Sequence, residues 1–316
     1  MATVYTLQEI KNALSGVDLT FFIEQGFIAY SNNEVVVPPV GELIFEDPPG
    51  DTHIKYGYIK SDDIYVIKIA SGFYQNPAMG LASSSGLMLV FSQKTGMLQT
   101  VLLDEGHLTD VRTAVAGQIA VKHVASKTIK AIGVLGTGIQ ARMQVEYLKS
   151  VTPCRELFVW GRTPKRVAEY KNDMEAAGFQ VTPVDAPDQV VQHANVIITT
   201  TPSTTPLLFA ADLRPGTHIT AMGSDTDKKQ ELDEDILARA DIIVADSISQ
   251  CRERGEISKA LAAGVIEEKD VYELGDVIAN KKSCNRKDSS ISIVDLTGVA
   301  VQDIKIAGAV CQNLDQ

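Results

Sequence analysis

Lys68, Arg112 and Asp225 are the charged residues of this 316-residue chain whose surroundings are hardest to explain by solubility alone. Lys68 stands between Ile67 and Ile69, and strand alternation places it on the face of Ile64 and Val66. An ammonium on an apolar strand face is costly unless its stem snorkels or an anion matches its charge. A carboxylate substrate would match it, and partial desolvation would lower its pKa far enough for proton transfer near neutrality. Arg112 is predicted in the first turn of an alanine-rich helix, where the helix dipole repels cations. A bound carboxylate or pyrophosphate would relieve that conflict, and a bidentate guanidinium suits both; a structural pair with Asp110 or Asp104 is the competing reading. Asp225 follows Met222-Gly223-Ser224 just past a predicted strand. A carboxylate there serves as acid or base, or does no more than cap a turn.

A second group of residues speaks of phosphate. Gly136-Thr137-Gly138-Ile139-Gln140-Ala141 follows a short apolar strand and opens a helix, placed here from Ala141. The first glycine permits a tight turn, the second lets backbone approach a pyrophosphate, and small Ala141 lets helix pack on strand. The helix N-terminus adds free N–H groups and partial positive charge. A dinucleotide site is the reading. Its flavour is set at the end of the next strand, where a carboxylate about 20 residues on would take the ribose 2′-hydroxyl of NAD. This chain has Gly161-Arg162-Thr163-Pro164-Lys165-Arg166 there, with no acid. Arg162 can grip a 2′-phosphate bidentately while Thr163 donates a further bond, so NADP(H) is expected in preference to NAD(H). The hydroxyls of Thr199, Thr200, Thr201 and Ser203 are expected to line the nicotinamide ribose.

Elements able to position these residues are legible as two sets. From residue 130 to 245, short apolar runs (157–160, 180–183, 195–200, 218–222, 241–245) alternate with amphipathic stretches (167–177, 188–193, 231–239). That alternation predicts an α/β Rossmann-type, doubly wound parallel sheet. Before it, runs at 34–37, 52–59, 63–70, 87–91 and 98–103 are separated by Gly, Pro and Asp turns without helical patterns, which favours an antiparallel or mixed sheet in a separate α+β domain. A helix over 109–124, with a capping residue at its start, links the two. The polar stretch 280–290 reads as an exposed loop returning from the nucleotide domain. The expected division is 1–112 with 292–316, and 113–291.

Composition limits the partners. The formal net charge is −11 and the pI near 5.0, which argues against nucleic acid and anionic membranes. No apolar run approaches the roughly 20 residues that span a bilayer, and residues 1–6 lack a signal-peptide pattern, so a soluble, cytoplasmic protein is expected. The four cysteines are widely spaced, like the histidines, and suggest neither disulfides nor a metal site.

Several stretches together resemble the ornithine cyclodeaminase and mu-crystallin family: Val66-Ile67-Lys68, 108–114 with its Thr-x-x-Arg-Thr-Ala core, the 136–142 turn, 215–225 with Glu231-Leu232-Asp233, and 298–303. They run in order over nearly the whole chain. The resemblance implies a homodimer whose N-terminal segment and C-terminal helix form the substrate-binding and dimerisation domain. It implies hydride transfer between NAD(P) and the α-carbon of a small amino or imino acid. It assigns Lys68 and Arg112 to the substrate carboxylate, Arg112 also to the cofactor, Asp225 to proton transfer, Ser83 and Val299 to the substrate, and Thr137, Ile139, Gln140, Met222, Gly223 and Ser224 to the cofactor. One departure stands out. Where the family carries an arginine after Pro-Pro, this chain reads Pro38-Pro39-Val40. The lost charged hydrogen bond would cost roughly 1.5–3 kcal/mol of substrate binding unless another group replaces it. The missing acid after Trp160 favours NADPH and hence reduction of a ketimine such as pyrroline-2-carboxylate. The alternatives are an ornithine cyclodeaminase that regenerates its NAD, and a nucleotide-fold protein that binds a small ligand without turnover.

Overall fold

The computed structural model describes residues 2–73, 75–282 and 284–314. Met1, and Ser283 of the predicted 280–290 loop, lie outside them. The chain divides after Thr113 and again after Gly298 into two compact units. Among the described residues no helix is long and apolar enough to cross a membrane.

The first unit is built on a seven-stranded mixed sheet. Thr3–Thr6 pairs parallel with Leu98–Leu103, and antiparallel ladders then run through Ser84–Ser92, Ile64–Phe73 and Gly50–Ile59. Val35–Val36 and Gly41–Phe45 both pair with Gly50–Ile59. The sequence reading missed Thr3–Thr6 and Gly41–Phe45. The α+β reading left the helices of residues 1–33 unplaced; Leu19–Ser31 forms one, with the Asp18 side chain accepting from the N–H groups of Thr20 and Phe21. That helix is apolar almost all round, so its period was masked; it packs against the C-terminal helix Ala300–Leu314, and Ile23, Phe27, Val301, Ile304 and Val310 are buried.

The helix after this sheet runs His107–Val124, starting two residues earlier than expected. Its cap is Asp104, whose Oδ2 accepts the Leu108 N–H at 2.7 Å. Arg112 therefore lies in the second turn rather than the first, and the helix-dipole argument for a bound anion does not hold for it.

The second unit carries an eight-stranded, wholly parallel sheet. Numbered along the chain (Ile132–Leu135, Glu156–Trp160, Gln180–Pro183, Val196–Thr199, His218–Ala221, Ile242–Ala245, Val271–Glu273, Ser292–Asp295), the strands lie in the order 3-2-1-4-5-8-6-7. The first five reproduce the doubly wound arrangement, with its reversal of direction between Ile132–Leu135 and Val196–Thr199. Five of these strands are buried at every residue, as a sheet covered on both faces requires. Ser292–Asp295 fills a place between two other strands, so residues 292–298 stay with this unit and the 280–290 segment is not the exit to the first. A further correction concerns 231–239. Gln230–Leu232 is a short strand beside Thr204–Leu208, and the helix begins only at Glu234, capped by Asp233.

Candidate functional site

In the first unit, four side chains from three elements meet in the interior. Lys68 comes from Ile64–Phe73 and is 2% exposed; Asp303, from the C-terminal helix, is 1% exposed and lies 3.5 Å from its Nζ. Arg112 approaches the same carboxylate, Nε to Oδ1 at 3.1 Å, and donates from Nη1 to Gln302 Oε1 at 2.8 Å. Its partner is thus Asp303, not Asp110 or Asp104. Two cations share one carboxylate. Moreover Arg112 Nε, Gln302 Nε2 and both Asp303 oxygens are buried with no aligned hydrogen bond among the described residues. Asp303 is held by ion pairs alone and the Gln302 amide nitrogen by nothing among the described residues, which leaves donors on Arg112, Lys68 and Gln302 able to meet an anionic ligand.

Electrostatics agree. Burial pushes the Lys68 ammonium down to about 7, the Asp303 carboxylate pulls it back, and Arg112 and Lys55 repel it. Lys55 is itself buried and pairs in register with Lys68 on the adjacent strand, which puts both side chains on one face. Sequence reasoning missed Lys55, Gln302 and Asp303 as site residues. The visible signal was a polar Gln-Asp pair set between Val301 and Ile304 in an otherwise apolar helix face. Of the other residues expected to touch substrate, Ser83 is exposed, with its carbonyl accepting the Phe73 N–H, while Val299 is completely buried in the core.

In the second unit a cavity of about 210 Å³ opens at the strand reversal. Its lining includes Gly136, Thr137, Gly138, Gly161, Arg162, Thr163, Arg166 and Thr201. Gly136 adopts φ +119°, and a Cβ there would sit 2.4 Å from Thr200 Oγ1, so both conformation and space demand glycine. The helix starts at Ile139 rather than Ala141, with Gly138 at its N-cap and no side chain satisfying the cap. A Cβ at Gly138 would meet nothing within 4 Å, which leaves room for a phosphate over the first turn containing Ile139 and Gln140. Arg142 braces the turn by donating to the carbonyls of Thr137 and Gly138 and to Asp173. The Arg162 and Arg166 side chains make no hydrogen bond or ion pair among the described residues, and Thr163 caps its helix without a side-chain bond. Uncapped helix N–H groups, open space and two uncommitted guanidinium groups fit a dinucleotide.

Past the neighbouring strand, Asp225 pairs with Lys229 at 2.6 Å and is about half exposed. Met222 and Ser224 are buried, and the Ser224 hydroxyl donates to Lys229 O, so neither offers a polar group to the cavity. The Gly223 N–H donates to Glu231 Oε2, which also accepts from Thr199.

All 316 residues match the ornithine cyclodeaminase/mu-crystallin family. The chain belongs to that family. It is an enzyme with a Rossmann-type nucleotide-binding fold. It is 41% identical over 286 residues to an uncharacterized cyclodeaminase of Sinorhizobium fredii, covering 90% of this chain and 86% of that one. An archaeal alanine dehydrogenase dimer with bound NAD matches at a TM-score of 0.90 and 32% identity, over 99% of this chain and 95% of that one. The iminosuccinate reductase of Paracoccus denitrificans in complex with NAD⁺ matches at 0.86 and 29%, over 99% and 96%.

Proposed function

We propose that this chain is a cytoplasmic, homodimeric imino-acid reductase that takes a hydride from NADPH, in preference to NADH, onto the α-carbon of a ketimine such as pyrroline-2-carboxylate. The observation that carries this is the buried pairing of two cations, Lys68 and Arg112, with the single Asp303 carboxylate, beside a Gln302 amide nitrogen that has no hydrogen bond among the described residues. An α-carboxylate would accept from the Arg112 guanidinium, the Lys68 ammonium and the Gln302 amide, and would balance the second cation that Asp303 leaves over. A bound acid also favours the charged form of Lys68, so substrate binding raises its pKa from about 7 and fixes the pair as an anchor.

The dinucleotide, when bound, supplies the hydride. Reduction then needs one proton at the imine nitrogen for each hydride at carbon, and Asp225, exposed enough to exchange with water, is assigned to it, while Lys68 takes up a proton near neutral pH as the acid binds and stays charged beside it. Gly136, Thr137, Gly138, Ile139 and Gln140 are assigned to the pyrophosphate, Gly161, Arg162 and Thr163 to the 2′-phosphate, and Thr201 to the nicotinamide side. The dimer draws support from the alanine dehydrogenase relative and from the exposed Leu43, Ile44 and Phe45 on one edge strand.

A second reading, cyclodeamination of ornithine to proline with release of ammonia, has the Sinorhizobium relative in its favour. One panel of amino and imino acids, run with both cofactors and followed by nicotinamide absorbance and ammonia release, separates the two. Stoichiometric NADPH consumption with a cyclic imino acid is expected. Ammonia from ornithine with only trace NAD⁺ would establish the second reading, and no turnover with any acid would reject both.

A further inference from the structure

Glu231 is completely buried, yet its carboxyl group is spent on the ends of two other strands. Oε2 accepts from Thr199 Oγ1 at 2.6 Å and from the Gly223 N–H at 3.0 Å; Oε1 accepts from the Thr201 N–H at 2.5 Å. Thr199 closes the strand Val196–Thr199, and Thr201 lines the nucleotide cavity. Gly223 lies two residues beyond His218–Ala221 and two before Asp225. A single side chain therefore ties the loop that walls the cavity to the loop that bears the candidate proton-transfer residue. The fit is close: a Cβ on Gly223 would stand 2.3 Å from Thr201 O and 2.4 Å from Glu231 Oε2.

We propose that Glu231 is a positioning residue whose ionised carboxylate holds the 200–203 and 222–225 loops in the shape that binds the dinucleotide. This rests on the reading of the cavity as a dinucleotide site. The reason a charge is favoured lies in the bonding: a carboxylate accepts from all three donors, whereas a protonated carboxyl keeps the Thr199 contact only by reversing it, its O–H donating to Thr199 Oγ1, and is a weaker acceptor for the Thr201 and Gly223 N–H groups. Burial works against the charge, pushing Glu231 up to about 7, while the bonds from Thr199, Thr201 and Gly223 pull it down. Two further buried carboxyls face it. Glu256, from the helix Gly255–Ala262, accepts the N–H groups of Glu231 and Leu232, and Asp295 comes from Ser292–Asp295; both are held above the usual carboxylate range by burial. Along its own segment, Lys229 pairs with Asp225 and Asp233 caps the following helix. The clamp is thus poised to open near neutral pH.

The test is calorimetric titration of the protein without substrate, from about pH 6 to 8.5. NADH is the probe for the pH profile because it lacks the 2′-phosphate, which itself titrates near 6; NADPH is run beside it at pH 8. In the wild type the dissociation constant should fall as pH rises through about 7. Glu231→Gln should bind about tenfold more weakly at pH 8, with the pH dependence flattened. Thr199→Val keeps the carboxylate and removes one of its donors, so its profile should move to higher pH. A folded Glu231→Gln protein with wild-type affinity and profile overturns the proposal, even if its Tm is lower. Should that variant not fold, an unmoved midpoint in Thr199→Val overturns it instead. Wild-type protein that binds neither dinucleotide rejects the functional reading itself, a result distinct from either of these.

Discussion

Lys55 and Lys68 stand directly opposite each other on neighbouring antiparallel strands, both buried, and like charges so placed repel. That repulsion, together with Arg112 and above all burial, keeps the Lys68 ammonium near 7. If the protonated form anchors the substrate, kcat/KM should fall as pH rises through the Lys68 value. Lys55→Met should move that falling limb to higher pH, and an unmoved limb would exclude Lys55 from the site. At the other site, Arg162→Gln should raise the dissociation constant of NADPH about 10- to 100-fold and leave NADH within about twofold, since a hydrogen bond to a charged group contributes about 1.5–3 kcal/mol. Titrating both dinucleotides checks this, and an equal loss for the two would reject the 2′-phosphate assignment. Lys68 and Arg162 were legible from local sequence because each breaks a local rule, a cation in an apolar strand and a cation where NAD sites keep an acid. Asp303 was not, because its partners are 191 and 235 residues away in the chain and nothing local names them.

At the scale of the element, the turn after Ile132–Leu135 is the most tightly specified piece of backbone in the second unit. Gly136→Ala would place a methyl group 2.4 Å from Thr200 Oγ1 in a positive-φ conformation. We expect a loss of about 1–3 kcal/mol and a fall of several degrees in Tm, with dinucleotide binding abolished, measured by thermal melts with and without NADPH. An unchanged ligand-induced rise in Tm would contradict the placement of the pyrophosphate. Elements with clean periodicity were readable: the strands at 98–103 and 180–183 coincide with the runs in the sequence. The failures share a cause. Leu19–Ser31 is too uniformly apolar to show a polar face, and Gln230–Leu232 is strand only because Thr204–Leu208 offers it an edge. Local pattern reports which side faces a core, and it falls silent when both sides do or when pairing decides.

For the molecule as a whole, buried titratable groups set how stability varies with pH. His218, bonded to Ser292 and Thr220, is pushed by burial down to about 3, so its contribution is complete above its ordinary value of 6.5 and is lost as pH falls below it. Glu231, raised from 4.5 to about 7, acts in the opposite sense between those values, and the two largely offset each other from about pH 4.5 to 6.5. Glu256 and Asp295, raised by burial, cost stability as pH increases past their ordinary carboxylate values, whereas Lys68, lowered from 10.5 to about 7, adds stability as pH increases above 7. Denaturant melts should show the stability difference between the wild type and His218→Asn narrowing as pH falls from about 6.5 to 4.5, and a constant difference would mean that His218 is not held neutral on folding.

The sequence by itself determined the α/β class, the family, the glycine turn with its basic neighbour, and the isolated lysine, because backbone conformation, periodicity and local charge are properties of contiguous residues. Only the tertiary structure decided that one aspartate on the last helix is shared by Lys68 and Arg112, that Lys55 shares their face, and that Glu231 joins two loops. Those choices depend on which strands lie side by side and which helix covers them, and they arise from burial and pairing between segments that the chain order does not bring together.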